Sequence, residues 1–238
     1  MTGWWARLAH GGAMAALLLI QTPAPKETFL EKLLRIAGLT AAPSQMRGPS
    51  EEVLSGNIWM AQVAGGAPKA LTSDGDYRSP VFSVSDATIY ALRQNAIVRV
   101  PLRGGAAAKV SAAPGVVKLV GFDRSSPDEI VVLLDDAGSP LGVLALRSGA
   151  ITRLPYDRGS VEQQRALTQV RGQDRVYGKT TLYIKTETKQ GLSRPIEWTD
   201  VYIQSDGPPR NISVCDGVNC VQPALSPDGR MVAFIKVE

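Results

Sequence analysis

Histidine is the scarcest chemistry-bearing residue of this chain: among 238 residues there is one, His10. It lies in an N-terminal stretch that reads as an export signal, so the sequence beyond that stretch carries no imidazole. A Ser-His-Asp or Cys-His nucleophile needs that group to take a proton near neutral pH, and histidine-based zinc sites need it as a ligand. Cysteine is nearly as rare, with Cys215 and Cys220 alone. Two thiolates without further Cys or His make a poor metal site, and a redox pair is more often spaced Cys-x-x-Cys. In an exported chain, two cysteines enclosing Asp216-Gly217-Val218-Asn219 read as a structural disulfide closing a loop.

Other absences narrow the classes further. No dense block of Lys or Arg occurs; 26 basic against 22 acidic side chains give a net charge of +4, which describes a solvated surface and not a nucleic-acid partner. No glycine-rich phosphate cradle, dinucleotide fingerprint or calcium loop is present, and Ser73-Asp74-Gly75-Asp76 supplies two carboxylates without the remaining calcium ligands. Neither a cofactor nor a metal is expected. The segment Gly138-Ser139-Pro140-Leu141-Gly142 has its serine one place early for a nucleophile elbow, and no serine is followed three residues later by lysine. A glycosidase needs two facing carboxylates, for which Asp135, Asp136, Glu197 and Asp200 are the candidates. The turn acids Asp74, Asp76, Asp128 and Asp228 are better placed to bond nearby backbone. The expectation is a protein that is not an enzyme.

What is present begins with Arg7 and an apolar stretch from Leu8 to Ile20, followed by Gln21-Thr22-Pro23-Ala24. A short basic region, a short apolar region and a small-residue exit form a signal-peptide pattern over residues 1–24, which predicts export to the periplasm. The stretch, interrupted by Gly11 and Gly12, is short for a bilayer crossing of about 20 residues. An uncleaved anchor, with the chain tethered to the membrane and facing the periplasm, is the alternative. Residues 25–55 follow as a short amphipathic helix and a linker: Phe29, Leu30, Leu33, Leu34 and Ala37 recur on one face, with Pro25 at the entry and Gly38 at the exit.

Residues 56–238 have a different texture, with short apolar or alternating runs cut by Gly, Pro, Asp and Ser, as in an all-β domain. The runs repeat. Four segments share a β-rich run, a glycine turn and a second short strand, beginning at Asn57, Ala96, Gly142 and Asp200 and turning at Gly66, Gly105, Gly149 and Gly207. Between them lies a second unit, a strand, a tight turn and an apolar return: Ser79 to Leu92 and Pro223 to Ile235, with looser copies at Lys118–Leu134, bent at Ser126-Pro127-Asp128-Glu129, and at Gln169–Ile184, bent at Gly172-Gln173-Asp174-Arg175. Four strands in about 40–45 residues is the period of a propeller blade. Because the repeats start on an outer hairpin and end on an inner pair, four blades require the two termini to share one sheet.

At Ser226-Pro227-Asp228-Gly229-Arg230-Met231-Val232-Ala233-Phe234, at Asp200-Val201-Tyr202-Ile203 with Asn211-Ile212-Ser213, and at Asn57-Ile58-Trp59-Met60 with Ala70-Leu71-Thr72, the chain resembles the TolB-like, WD-repeat-like β-propeller family. The resemblance implies a β-propeller of about four blades, closed by its terminal strands or forming part of a larger propeller. It further implies envelope protein partners for a non-catalytic binding or scaffold module. The other reading is the propeller portion of a larger exported hydrolase, similar to prolyl-oligopeptidase-type peptidases, whose catalytic domain is absent from these residues. Trp59, Tyr77 and Trp198 are the candidate binding-face aromatics, with Tyr90, Tyr177, Tyr183 and Tyr202 as further anchors and blade packing as the competing role for all of them. The repeat turn Ser226, Pro227, Asp228 and Gly229 completes the candidate residues.

Overall fold

The computed structural model describes residues 54–123, 126–135, 141–155, 170–171 and 175–237. Residues 1–24, read above as an export signal, and nearly all of the expected helix and linker of residues 25–55 lie outside the described residues, as does Asp136. Every regular element among the described residues is a β-strand, and these strands form four antiparallel sheets. None of the described residues forms a helix long and apolar enough to cross a membrane.

One sheet combines the two ends of the described chain: β16 (Cys220–Leu225), β17 (Met231–Lys236), β1 (Asn57–Gln62) and β2 (Lys69–Ala70), in the order β16-β17-β1-β2. Trp59 lies opposite Phe234 and Ile58 opposite Ile235. This is the pairing expected of four blades whose terminal strands share one sheet. The second sheet runs β3 (Tyr77–Phe82), β4 (Thr88–Arg93), β5 (Ala96–Pro101) and β6 (Ala108–Ala112). The third holds β7 (Val116–Asp123), β8 (Ser126–Leu134), β9 (Leu141–Ala145) and β10 (Ile151–Arg153), with β11 (Val170–Arg171) added beside β7. The fourth is β12 (Val176–Tyr177), β13 (Thr180–Lys189), β14 (Ile196–Gln204) and β15 (Arg210–Asn211).

Three apolar clusters lie between these sheets and explain the continuous apolar runs. In β17, Val232 and Phe234 enter the cluster shared with the fourth sheet, whereas Ala233 and Ile235 enter the cluster shared with the second. In β4, Ile89 and Ala91 face the terminal sheet while Tyr90 and Leu92 face the third. Successive side chains of a strand point to opposite faces, so a strand buried on both sides must be apolar at every position. Each large side chain buried in this way contributes about 1.5–3 kcal/mol. Tyr90 meets Phe122 of the third sheet edge-on, with ring centroids 5.2 Å apart.

Two turns differ from the sequence reading. Residues 126–129 belong to β8, and Asp123 pairs with Ser126, so the reversal precedes Ser126. Pro127 sits near the start of the strand, where a missing N–H is tolerated, and the Asp128 carbonyl accepts the Leu146 N–H at 2.9 Å. In the looser copy beginning at Gln169, Val170 and Arg171 pair with Asp123 and Phe122 of β7. The expected bend at 172–174 lies outside the described residues; the reversal between β12 and β13 is at Gly178-Lys179, with Gly178 at φ +59°.

Candidate functional site

The turn at residues 226–230 is built by one serine. Ser226 Oγ donates to Asp228 Oδ1 at 2.6 Å and accepts the N–H groups of Arg230 (3.1 Å) and Met231 (2.9 Å). The Arg230 N–H also reaches Asp228 Oδ1 at 3.1 Å, and the Gly229 N–H bonds the Ser226 carbonyl at 2.8 Å. Pro227 presets the turn, and Gly229 takes φ +70°. The Ser226 hydroxyl, followed by the Arg230 N–H and guanidinium, holds the Asp228 carboxyl below its ordinary range.

Two adjoining clefts flank this turn. The first, about 400 Å³, lies against the β3–β4 turn, with Phe82, Leu102 and Met231 as apolar lining and Ser85, Asp86 and Asp228 as polar lining. The second, about 660 Å³, lies against the β1–β2 turn and is lined by residues 62–64 and 228–231. The β3–β4 turn repeats the serine device: Ser83 Oγ accepts the N–H groups of Ser85 and Asp86, both at 3.2 Å, and Asp86 accepts the Thr88 hydroxyl. The fourth sheet closes in from the other side. Tyr177 lies over Gly229 so closely that a Cβ there would stand 2.3 Å from its ring, and Arg210 bonds the Val63 carbonyl. Turns of three sheets therefore border one surface.

Ser226 Oγ is committed to two backbone donors and a carboxylate, and Asp228, with its affinity for protons lowered, is a weak base. An apolar floor edged by Asp86, Asp228 and Arg230 has the composition of a binding patch. None of the described residues belongs to a group of three or more His, Cys, Asp or Glu able to hold a metal ion.

The candidate aromatics do not gather at the clefts. Tyr77 is 1% exposed; burial, then its bond to Asp74 Oδ1 (2.8 Å), push its hydroxyl up to about 12, and Arg93 lies 5.0 Å from its ring centroid while pairing with Asp74 at 2.6 Å. As a strand residue whose ring enters the core between the terminal and second sheets, Tyr77 is not available to a ligand. Trp59 is half-buried against Phe234 and its neighbours, with Lys236 Nζ 4.6 Å from its ring centroid. Trp198 is half-buried, and its indole donates to Asp200 Oδ2 at 2.9 Å. Of the candidate aromatics, Tyr177 is the one that reaches the turn. The β3–β4 wall, Ser83 and Asp86, was missing from the candidate residues, although Ser79–Leu92 reads as a copy of the unit that holds Ser226.

Of the glycosidase candidates, Asp200 is 2% exposed and bound by Ser213 Oγ and the Cys215 N–H, both at 2.7 Å. Buried beneath Ser213 and Cys215, it is closed to a substrate. Cys215 and Cys220 are joined by a disulfide. The loop it closes presents Asn219 to β14, where Asn219 Oδ1 accepts the Thr199 N–H at 3.0 Å. Replacing both cysteines with alanine should lower the unfolding free energy by about 2 kcal/mol, since so short a loop removes little chain entropy. Urea unfolding followed by tryptophan fluorescence measures it.

No protein-family model matches this chain, and no curated protein matches it.

Proposed function

We propose that this chain is an exported, non-catalytic β-propeller of about four blades that binds a protein partner in the bacterial cell envelope. The observation that carries the reading is the convergence of the β3–β4, β16–β17 and β1–β2 turns on two adjoining clefts with an apolar floor and a charged edge. Turn loops on a rigid stack of sheets are where specificity is varied without disturbing the core. Pairing of the first and last described strands supports a closed ring, since it joins them in one sheet and covers two edges. The resemblance of Ser226-Pro227-Asp228-Gly229 and its flanking strands to TolB-like repeats supports the envelope assignment, as does the signal-peptide pattern of residues 1–24.

The test is affinity capture from envelope extracts with the wild-type chain beside Val84→Asp and Arg230→Glu. Both side chains are exposed at the clefts, so either change alters the surface without entering the core. A partner retained by the wild type and lost by both variants is the expected result. Capture of nothing, together with turnover of a peptide or glycan panel, overturns the proposal.

A further inference from the structure

The fourth sheet carries an arm whose two edges are unequal. β13 and β14 pair along their whole length, from Thr181 opposite Gln204 to Lys189 opposite Ile196. Beyond Ile184 almost every β13 residue is exposed, and Leu192 at the tip is fully exposed. The outer edge of β14 is covered: the Val201 N–H donates to Ser213 Oγ at 2.8 Å and the Thr199 N–H to Asn219 Oδ1 at 3.0 Å. Among the described residues, the outer edge of β13 is covered only at its start, where β12 pairs with Thr180 and Thr181 and the Leu182 N–H reaches the Arg175 carbonyl at 2.7 Å. From Tyr183 to Lys189 none of the described strands lies on that side.

The direction of the backbone groups follows from the register. In an antiparallel pair, residues alternate between those that exchange bonds across the pair and those that point both groups outward. Val201 and Thr199 point away from β13, so their partners Ile184 and Thr186 point away from β14, and Thr188 continues the alternation. Three residues therefore present donors and acceptors at an open edge.

We propose that this edge pairs with the same edge of a second copy of the chain, antiparallel about Thr186, to form one sheet running through a two-fold dimer. In that register Thr186 faces Thr186 of the second copy and Ile184 faces Thr188 of the second copy, so all three outward-pointing residues are satisfied. The same register sets Lys185 against Glu187 of the second copy, twice by symmetry. An edge with charges of one sign repels its copy, whereas the order Lys185, Glu187, Lys189 complements itself. Glu187 is already aligned: Lys185 at 2.8 Å and the Tyr202 hydroxyl at 2.5 Å both fall on Oε1, leaving Oε2 for the second copy's lysine. A register one step further out sets Glu187 against Lys189 but leaves the strand at Gly191.

Sedimentation velocity of the full chain should show a reversible dimer with a Kd in the tens of micromolar, as suits a small polar contact. Thr186→Pro removes an N–H that β14 does not use, so the fold is kept while the dimer weakens at least about tenfold. Lys185→Glu and Glu187→Lys each set like charges together and should each be monomeric alone. Mixed in equal amounts, these two variants should form a heterodimer, because every contact between them is then of unlike sign. Neither chain regains an internal Lys185–Glu187 pair in that mixture, so recovery reports contact between chains. A wild type that stays monomeric to about 500 µM overturns the proposal. So does a dimer that Thr186→Pro leaves intact, or a mixture of the charge variants that stays monomeric.

Discussion

Asp200→Ala should destabilise the fold by about 4 kcal/mol, because it strips the acceptor from several buried donors at once. The carboxylate has no cation bonded to it among the described residues; its partners are the Ser213 hydroxyl, the Cys215 N–H, the Trp198 indole and the Asn211 side chain. Burial alone pushes this carboxyl up, but the Cys215, Ser213, Trp198 and Asn211 hydrogen bonds outweigh it and leave it below its ordinary value. The sign for stability follows. With the folded value below the unfolded one, near 3.9, Asp200 stabilises the fold fully above about pH 4 and loses that contribution as pH falls through the folded value. Asp200→Asn keeps the size of the side chain but sets an amide donor against a donor, so it should cost about 2 kcal/mol at pH 7 and flatten the loss of stability below pH 4. Urea midpoints at pH 7 and pH 3 give both readings. An unchanged midpoint in Asp200→Ala, or an acid slope in Asp200→Asn equal to the wild type, contradicts the assignment.

The repeat was legible because its signals are local. Gly66, Gly105 and Gly149 mark three of the hairpins, and an apolar run such as residues 231–235 betrays a strand buried on both faces. The pairing of the terminal strands was one of two outcomes that counting units left open, and β1 beside β17 is the one observed. The bends at 126–129 and 172–175 were misplaced or left outside the described residues because Pro, Asp and Gly also start strands, and only a partner strand decides which role they take. Tyr77 and Tyr177 are alike in composition terms, yet one is in the core and the other over Gly229, a difference set by sheet packing.

Some features had no local signal. Ser79 and Gln222 each take a left-handed conformation (φ +51° and +53°), each precedes a proline, and each sits at a register shift in β3 or β16. Their equivalence becomes visible only in space, where the Gln222 side chain accepts the Ser79 N–H at 2.5 Å and donates to the Leu54 carbonyl at 2.9 Å. The β13–β14 arm was hidden for a related reason. Its polar alternation reads as a strand with one wet face, whereas most of its side chains beyond Ile184 are exposed on both faces.

Gly56→Ala should cost about 3 kcal/mol, as much as severe overpacking of a core. A Cβ at this position would stand 2.1 Å from the Lys236 carbonyl oxygen, 2.7 Å from its carbon and 3.0 Å from the Val237 Cα, and all three atoms are backbone. No rotamer change can relieve such a contact. Nor can Gly56 move away, because its N–H donates to the Tyr77 carbonyl at 3.0 Å and its carbonyl accepts the Tyr77 N–H at 2.9 Å. The residue is held between β17 and β3, where the terminal sheet meets the second. Alanine must therefore part the start of β1 from one of them, loosening Asn57 from Lys236 or opening the core around Ile58 and Tyr77. Gly66→Ala is the matched control: it sits at φ +116° with open space around its Cβ, so it carries the backbone strain alone, about 1 kcal/mol. Denaturant unfolding of both variants separates the two causes. Hydrogen exchange should show the Gly56→Ala loss concentrated in β1 and β17, with the third sheet little changed. A Gly56→Ala variant within about 0.5 kcal/mol of the wild type would show that β1 and β17 are not held together by this contact.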